Sequence, residues 1–537
     1  MHVCLLPTET LLHIFAIIHE DYNSLISRAA LAALARTCMT FKEPALDTLW
    51  KHIDGFEPLI LCFPEGVRDR DVEGKMTLTR PLFAKEWSTF SQYAHRIRSL
   101  TFDSSEPNII DDRIVQALIS APSSTPLPNL CRLHWLDDQE CFIPLLRCLL
   151  VPTIRSIELR SNISGIPWSP SFAKSALLTS LVVRCPSVRE FKCVYQGDSE
   201  DTSDVISDAV CGLREVFHLE AGVLNTQALL HLASLSSLKS LHFRTYNIKS
   251  TQTNDVPISL SQINLVQIAA PSLSVLAHCL RNVYFFCCRS VTFDIDSNWG
   301  LPYDPLVIPE LIISLSEHFS PALEYFSFDF DPPFFSLEDE AILVNPRFAL
   351  TFDAIAPLLS LSHLTKVDLD WICASAIDDA SLKRMAQSWP LLQQFYFGSG
   401  CRWMVPPSLT FIGLIHLIQH CRDLRIVDMT FCACSVDTDS EPFSKTIPNK
   451  NISSIFVGMS PIVDPIAVAC QLHTLMPNLT GVDRFGSLEE IRVAPQFQNF
   501  DEDWAQVDDF LTVLNTGAKM RESLSKQPMS ALTHPSV

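Results

Sequence analysis

The sequence predicts an α/β protein in two parts: a short three-helix domain, then a long irregular solenoid of short parallel strands alternating with helices. Two observations carry this reading. The first fifty residues hold three apolar stripes of helical period, and a short apolar pattern then recurs through most of the remaining chain. A third observation bounds the class. Of 537 residues, 47% are hydrophobic and 19% charged, the balance of a chain that folds. That length allows one very large domain or two to three ordinary ones.

The first stripe is Leu11, Leu12, Phe15 and Ile18, with Thr8 placed to cap its helix through the hydroxyl. The second lies in residues 29–38, with Leu31, Leu34, Ala35 and Cys38 on one face. The third is expected to start at Pro44, whose missing N–H costs nothing in a first turn, and to run through Leu46, Leu49, Trp50 and Ile53. Three helices in so few residues make a marginal core. Apolar surface left outside it fits a partner, or the cap of a larger domain.

These residues resemble an F-box. Leu6, Pro7, Glu9 and Leu11 are similar to its Leu-Pro-x-Glu-Leu turn, and Ile14 and Phe15 to its aliphatic–aromatic pair. Cys38 is similar to the cysteine near the end of its second helix, and Leu49-Trp50 to its closing Leu-Trp. The stretch 34–50 resembles F-box proteins of fungal type. Two features depart from the pattern: Phe41 stands where many members carry tryptophan, and the segment 19–28 is longer and more polar than usual. The resemblance, assigned to residues 1–53, implies a non-catalytic substrate-recognition subunit of an SCF-type (Skp1–cullin–F-box) ubiquitin ligase. It implies a Skp1-like adaptor, and through it a cullin, bound by Leu6, Pro7, Leu11, Leu12, Ile14, Phe15, Leu34, Cys38, Leu49 and Trp50. Some of these must instead form the domain's own core.

Residues 54–85 read as a linker, with Pro58, Pro64, Gly66, Gly74 and Pro81 among alternating charges. From there to residue 500 the pattern aliphatic–x–x–aliphatic–x–apolar recurs. Copies begin at Ile97, Leu130, Ile154, Val188, Leu238, Leu323, Leu364, Leu392 and Leu424, with weaker ones at Leu213, Leu273, Leu479 and Leu488. This is the strand core of a degenerate leucine-rich repeat. The second and third apolar positions differ by two, so both point into the stack. The residue between them faces outward on the concave surface, which makes His134, Glu158, Lys192, His242, Asp368, Tyr396 and Asp428 candidate substrate contacts. Prolines 128, 152, 186, 321, 390 and 477 stand just ahead of the motif, where they stop a preceding helix.

Helix-like stretches fill the intervals, as at residues 114–120, 309–319, 380–389 and 411–421, the last burying Ile412, Ile415, Leu417, Ile418 and Cys421. Insertions are expected near 196–208, 294–309, 331–348 and 431–454. Residues 501–526 read as a capping helix with Trp504, Val507, Phe510, Leu511 and Leu514 apolar, and 527–537 as a loose tail. The competing fold is a large α/β domain with parallel strands and no true repeat.

Chemistry is sparse. A net charge of −20 disfavours nucleic acid and anionic membranes, both of which need a basic footprint. Glycine is scarce at 15 residues, which argues against glycine-loop nucleotide folds. There is no Walker loop and no Gly-x-Ser-x-Gly elbow, and Gly398-Ser-Gly400 is too short for a dinucleotide turn. Cys287-Cys288, Cys432-Ala-Cys434 and His416/His420 lack a second ligand pair at metal spacing, so no metal or cofactor is expected. The Asp-x-Asp runs at strand ends read as solvated. Eighteen cysteines spread through apolar runs, with no signal core and no membrane-length apolar run, point to reduced cytoplasm or nucleus. In that compartment the sequons at Asn162, Asn451 and Asn478 stay bare. The alternative function is a leucine-rich-repeat scaffold with no ligase role; an enzyme with an undetected site has little support.

Overall fold

A computed structural model describes residues 6–20, 24–71, 74–104, 110–163, 167–195, 200–245, 257–295, 306–330, 344–400, 405–436, 441–484 and 498–525. The chain divides into two compact units, Met1–Arg244 and Thr245–Val537.

The first unit begins with α1 (Thr8–Glu20), α2 (Ser24–Thr37) and α3 (Met39–Leu49). Leu11, Phe15, Leu31, Phe41 and Ala45 form their shared core, with the Phe15 and Phe41 rings edge-to-face at 5.7 Å. Two expectations are corrected here. Thr8 is the first helical residue, and the Pro7 carbonyl accepts the amides of Thr10 and Leu11. The third helix starts at Met39, and Pro44 sits buried inside it. The Cys38 carbonyl takes the first amides of that helix, those of Phe41 and Lys42, which starts it a full turn ahead of the proline.

Ile53 does not continue α3. It belongs to β1 (His52–Asp54), which pairs in parallel with β4 (Ser99–Asp103). The expected linker is also folded. It contains α4 (Glu57–Leu61) and an antiparallel hairpin, β2 (Arg68–Arg70) with β3 (Met76–Leu78). Phe56, Leu59, Ile60 and Phe63 are buried there at spacings of zero, three, four and seven, a helical stripe with Pro58 in its first turn. α5 (Ala84–Ala94) follows.

Beyond it, β4, β5 (Arg132–Leu136), β6 (Ser156–Arg160), β7 (Glu190–Cys193), β8 (His218–Val223) and β9 (Ser240–Arg244) pair in parallel in sequence order. Parallel neighbours need crossovers. Here α6 (Asp112–Ile119), α7 (Ile143–Leu149), α8 (Phe172–Arg184), α9 (Glu200–Gly212) and α10 (Thr226–Ser234) supply them. Asp111, Ser171 and Asn225 cap α6, α8 and α10 by accepting an amide of the first turn. Gly222 is needed in β8, because a Cβ there would lie 2.3 Å from the Tyr195 carbonyl oxygen.

The second unit repeats the scheme. β11 (Leu265–Ala270), β13 (Ser290–Ile295), β14 (Tyr325–Phe330), β15 (Lys366–Leu369), β16 (Gln394–Phe397), β17 (Ile426–Met429) and β18 (Ser454–Phe456) pair in parallel in that order. β10 (Ile258–Ser259) and β12 (Val283–Tyr284) form a side pair. The helices are α11 (Leu273–Leu280), α12 (Ile308–His318), α13 (Phe352–Ile355), α14 (Asp379–Ser388), α15 (Phe411–His420), α16 (Glu441–Ser444) and α17 (Pro465–Leu475). In α15 the buried side includes Leu414, while Ile412 is 38% exposed, against expectation. Finally α18 (Gln498–Ser525) lays Trp504, Val507 and Leu511 inward, and the Trp504 indole donates to the Ser460 carbonyl at 2.8 Å.

All three apolar positions of each stronger copy of the pattern are buried, from Ile97-Leu100-Phe102 to Leu424-Val427-Met429. The chain is therefore mixed α/β, with long parallel sheets alternating with helices. Of the weaker copies, Leu273 opens α11 and not a strand, while Leu479 and Val482 are buried beside a single parallel bridge from Phe456 to Asp483. Leu488 lies outside the described residues, as do most of the expected insertions at 294–309 and 331–348 and the tail. The expected insertion at 431–454 runs into β18, and that near 196–208 overlaps α9.

Candidate functional site

Two surfaces emerge, the three-helix bundle and the outward faces of the strands. In the bundle, the ten residues implied to meet a Skp1-like partner separate by depth. Leu11 and Phe15 are buried in the core, and Leu6, Ile14, Leu34, Cys38 and Leu49 lie half-buried against it. Pro7 is exposed and Leu12 half-buried at the surface. Trp50 stacks on Tyr93 of α5 at 4.6 Å, so its ring is engaged within the unit. The sequence pattern did not single out Ile17, Ile26 and Met39, which are 58%, 66% and 81% exposed. These large apolar side chains cost solubility in a bundle that had no partner.

Ion pairs tie the bundle to the strands and helices C-terminal to it. Arg96, with a side chain only 8% exposed, pairs with Glu43 and Asp47 of α3, and Arg28 pairs with Asp54 at 3.1 Å. The Arg96 hydrogen bond holds the Glu43 carboxyl below the usual carboxylate range.

The outward strand positions line up as ladders. In the first unit, parallel register places Thr101, His134, Glu158, Lys192, Glu220 and His242 side by side. His134 Nδ1 lies 3.0 Å from Glu158 Oε2, and Arg160 bridges Glu158 at 2.9 Å and Glu220 at 3.0 Å. His242 Nδ1 is 3.8 Å from Glu220. The His134 hydrogen bond keeps the Glu158 carboxyl below its ordinary value, and burial pushes the His242 imidazole down. Beside this network lies a cavity of about 410 Å³, walled by Leu136, Ile163, Pro167 and Val194 together with Arg160 and Arg244. Glu220, the centre of the network, escapes the sequence pattern because its repeat (Val216, Leu219, Ala221) carries alanine in the third apolar slot.

In the second unit the ladder runs Ser327, Asp368, Tyr396, Asp428, Phe456, Asp483. Lys366 sits 4.7 Å from the centres of both the Tyr325 and Tyr396 rings and 3.3 Å from the Asp368 carboxylate. Burial pushes the Asp428 carboxyl up to about 7, reinforced by the carboxylates of Asp370, Asp483 and Asp368 and opposed by the Phe456 amide. Asp370 is not simply solvated, as its Asp-x-Asp run implied. It accepts the amides of Ser399 at 3.0 Å and Gly400 at 2.8 Å, clasping a turn in which Gly398 has φ +70°. Phe456 escapes the pattern with its repeat, and Asp483 lies in the weak copy at Leu479, whose third slot holds Arg484.

Other candidates resolve into structure. His416 is buried, 6.5 Å from the His420 ring, and burial lowers both imidazoles. Cys288 is a buried free thiol and Cys434 an exposed one. Among the described residues no group of His, Cys, Asp or Glu is arranged to hold a metal ion, and no helix is long and apolar enough to cross a membrane.

Bundle and ladders together define a class, a three-helix unit ahead of a leucine-rich-repeat-like solenoid. A family model described as F-box-like matches residues 3–55, and the chain thus carries an F-box-like domain over about its first tenth. No curated protein matches the sequence. Among solved structures it is similar to the leucine-rich repeat-containing protein LegL7 from Legionella pneumophila: 15% identity, TM-score 0.30, covering 60% of this chain and 89% of that one. It is also similar to a chain of the Rad7 and Elc1 complex in yeast: 14% identity, TM-score 0.34, covering 75% of this chain and 92% of that one. Neither likeness extends to function.

Proposed function

We propose that the protein is a non-catalytic adaptor of an SCF-type ubiquitin ligase. Its bundle binds a Skp1-like protein, and through it a cullin, while the outward strand faces hold a protein substrate for modification and degradation. The match of residues 3–55 to an F-box-like domain carries this reading. The exposed Pro7, Ile17, Ile26 and Met39 support it, since they give the bundle apolar surface that a partner would cover. The adaptor works by holding a substrate lysine near the charged ubiquitin carrier. Free thiols among the described cysteines are in keeping with cytoplasm or nucleus.

Point variants test this more cleanly than deletion, because removing residues 1–52 would break β1 and leave Arg96 without Glu43 and Asp47. Pro7→Ala combined with Leu12→Asp should abolish co-purification with Skp1. Burying a carboxylate costs far more than the roughly 1.5–3 kcal/mol gained by a buried leucine. Met39→Asp, a fully surface change, should weaken the same capture. Unchanged Skp1 binding by folded variants overturns the proposal.

A further inference from the structure

We propose that the cavity on the outward face of the first unit binds a monocarboxylate carried on an aliphatic body, either a free acid or the C-terminal residue of a protein. Nothing in it depends on the adaptor reading, because the site lies wholly on β5–β9 and the segments that follow them. Leu136, Arg160 and Arg244 end β5, β6 and β9, and Val194 comes directly after β7. The volume of about 410 Å³ falls near the lower end of the roughly 300–1,000 Å³ typical of small-ligand pockets. Leu136, Ile163, Pro167 and Val194 give it aliphatic walls, which favour an apolar body of one residue's size.

The polar groups of the site are short of acceptors. Glu158 accepts from His134 Nδ1 at 3.0 Å and lies 2.9 Å from Arg160 Nε. Both Glu220 oxygens accept from Arg160 Nη2, at 3.0 and 3.2 Å. These contacts fix the guanidinium, yet its Nη1 donates to nothing among the described residues. Lys192 stands between Glu158 and Glu220 in the register and forms no ion pair among the described residues. Donors are thus left over where the carboxylates are already engaged, so the complementary ligand brings an acceptor. One negative charge suits the site, because Glu158 and Glu220 line it too and would repel a dianion. A carboxylate carries that single charge in a plane that a guanidinium edge meets with two N–H donors.

The test titrates the full chain by calorimetry at physiological salt with N-acetylleucine and with N-acetylleucinamide. The acid should bind at least tenfold tighter than the amide, which keeps the aliphatic body and loses the charge. Arg160→Lys keeps the positive charge but loses the fork, and should weaken the acid about tenfold. Val194→Phe puts a ring into the cavity and should abolish binding, with the circular dichroism of the chain unchanged. Equal binding of acid and amide overturns the proposal, as does full binding by folded Val194→Phe or Arg160→Lys. So does the absence of binding by both N-acetylleucine and a hexapeptide ending in leucine with a free carboxylate. Inorganic phosphate displacing the acid at equal concentration overturns the assignment to a carboxylate. Tenfold tighter binding of the hexapeptide than of N-acetylleucine assigns the group to a protein terminus, and equal binding assigns it to a free acid. Skp1 capture enters none of these readings.

Discussion

In the first unit the outward row brings a partner to each carboxylate: His134 and Arg160 to Glu158, Arg160 and His242 to Glu220. In the second, the corresponding row sets Asp428 among Asp368, Asp370 and Asp483 with aromatic rings between, and the Lys366 ammonium lies at the near end. The inward rows do not differ in this way. Phe191 and Cys193 in one unit, and Phe395 and Phe397 in the other, are all fully buried apolar side chains. Stacking is thus specified by positions that the two units share, and charge by positions they do not. The first row pairs its carboxylates across strands, and the second gathers carboxylates around Asp428.

The largest effects should fall where the units agree. Phe191→Ala and Phe395→Ala each empty a fully buried site, and each should cost about 3–5 kcal/mol, read from chemical denaturation. A much smaller cost in one unit would break the equivalence of the inward rows. Next, Arg160→Met leaves Glu158 with His134 and Glu220 with His242 as their remaining partners and should cost about 1–2 kcal/mol, since the arginine is 42% exposed and its pairing partly screened.

The smallest effect concerns pH. The folded Asp428 carboxyl is raised to about 7, above its unfolded value near 3.8, so between those limits the folded state holds the extra proton. Stability contributed by this group is present below the unfolded value and is lost as pH rises through about 7. Asp428→Asn should flatten that decline and gain about 1 kcal/mol on its alkaline side, after allowance for partial exposure, measured as unfolding midpoints across pH. An unchanged pH slope would show that the second face is balanced after all.

The solenoid is legible in the sequence wherever an aliphatic or aromatic residue fills each slot, because burial on a strand imposes that spacing, although Leu178, Leu181 and Val183 show it within α8 as well. It fades at Ala221 and Cys288, which the fold accepts as small apolar fillers but which carry weak hydrophobic signal. Ile263-Val266-Ile268 and Ile452-Ile455-Val457 fit the pattern outright, yet one is eclipsed by a neighbouring leucine and the other by its place in an apparent insertion. Each such repeat hides an outward residue, which is why Glu220 and Phe456 escape. The bundle is readable by its motif, yet Pro44 misplaces the third helix by a turn and a half, and prolines and glycines disguise a buried stripe as a linker. Spacing exposes which residues are inward; only register shows which outward residues become neighbours.

Leu49 ends α3 and His52 begins β1, so the docking bundle enters the sheet with no spacer, clamped by Arg96 and by Trp50 on Tyr93. Mechanically the bundle is a handle brazed to the first rungs of the unit, and under the proposed adaptor role whatever rests on those rungs keeps a constant bearing to the partner gripping the handle. A tether would let that bearing wander and dilute the local concentration of the cargo, falling roughly as the −3/2 power of its length. Under the proposed adaptor role, a few glycines inserted between Leu49 and His52 should turn the handle into such a tether and slow ubiquitin transfer.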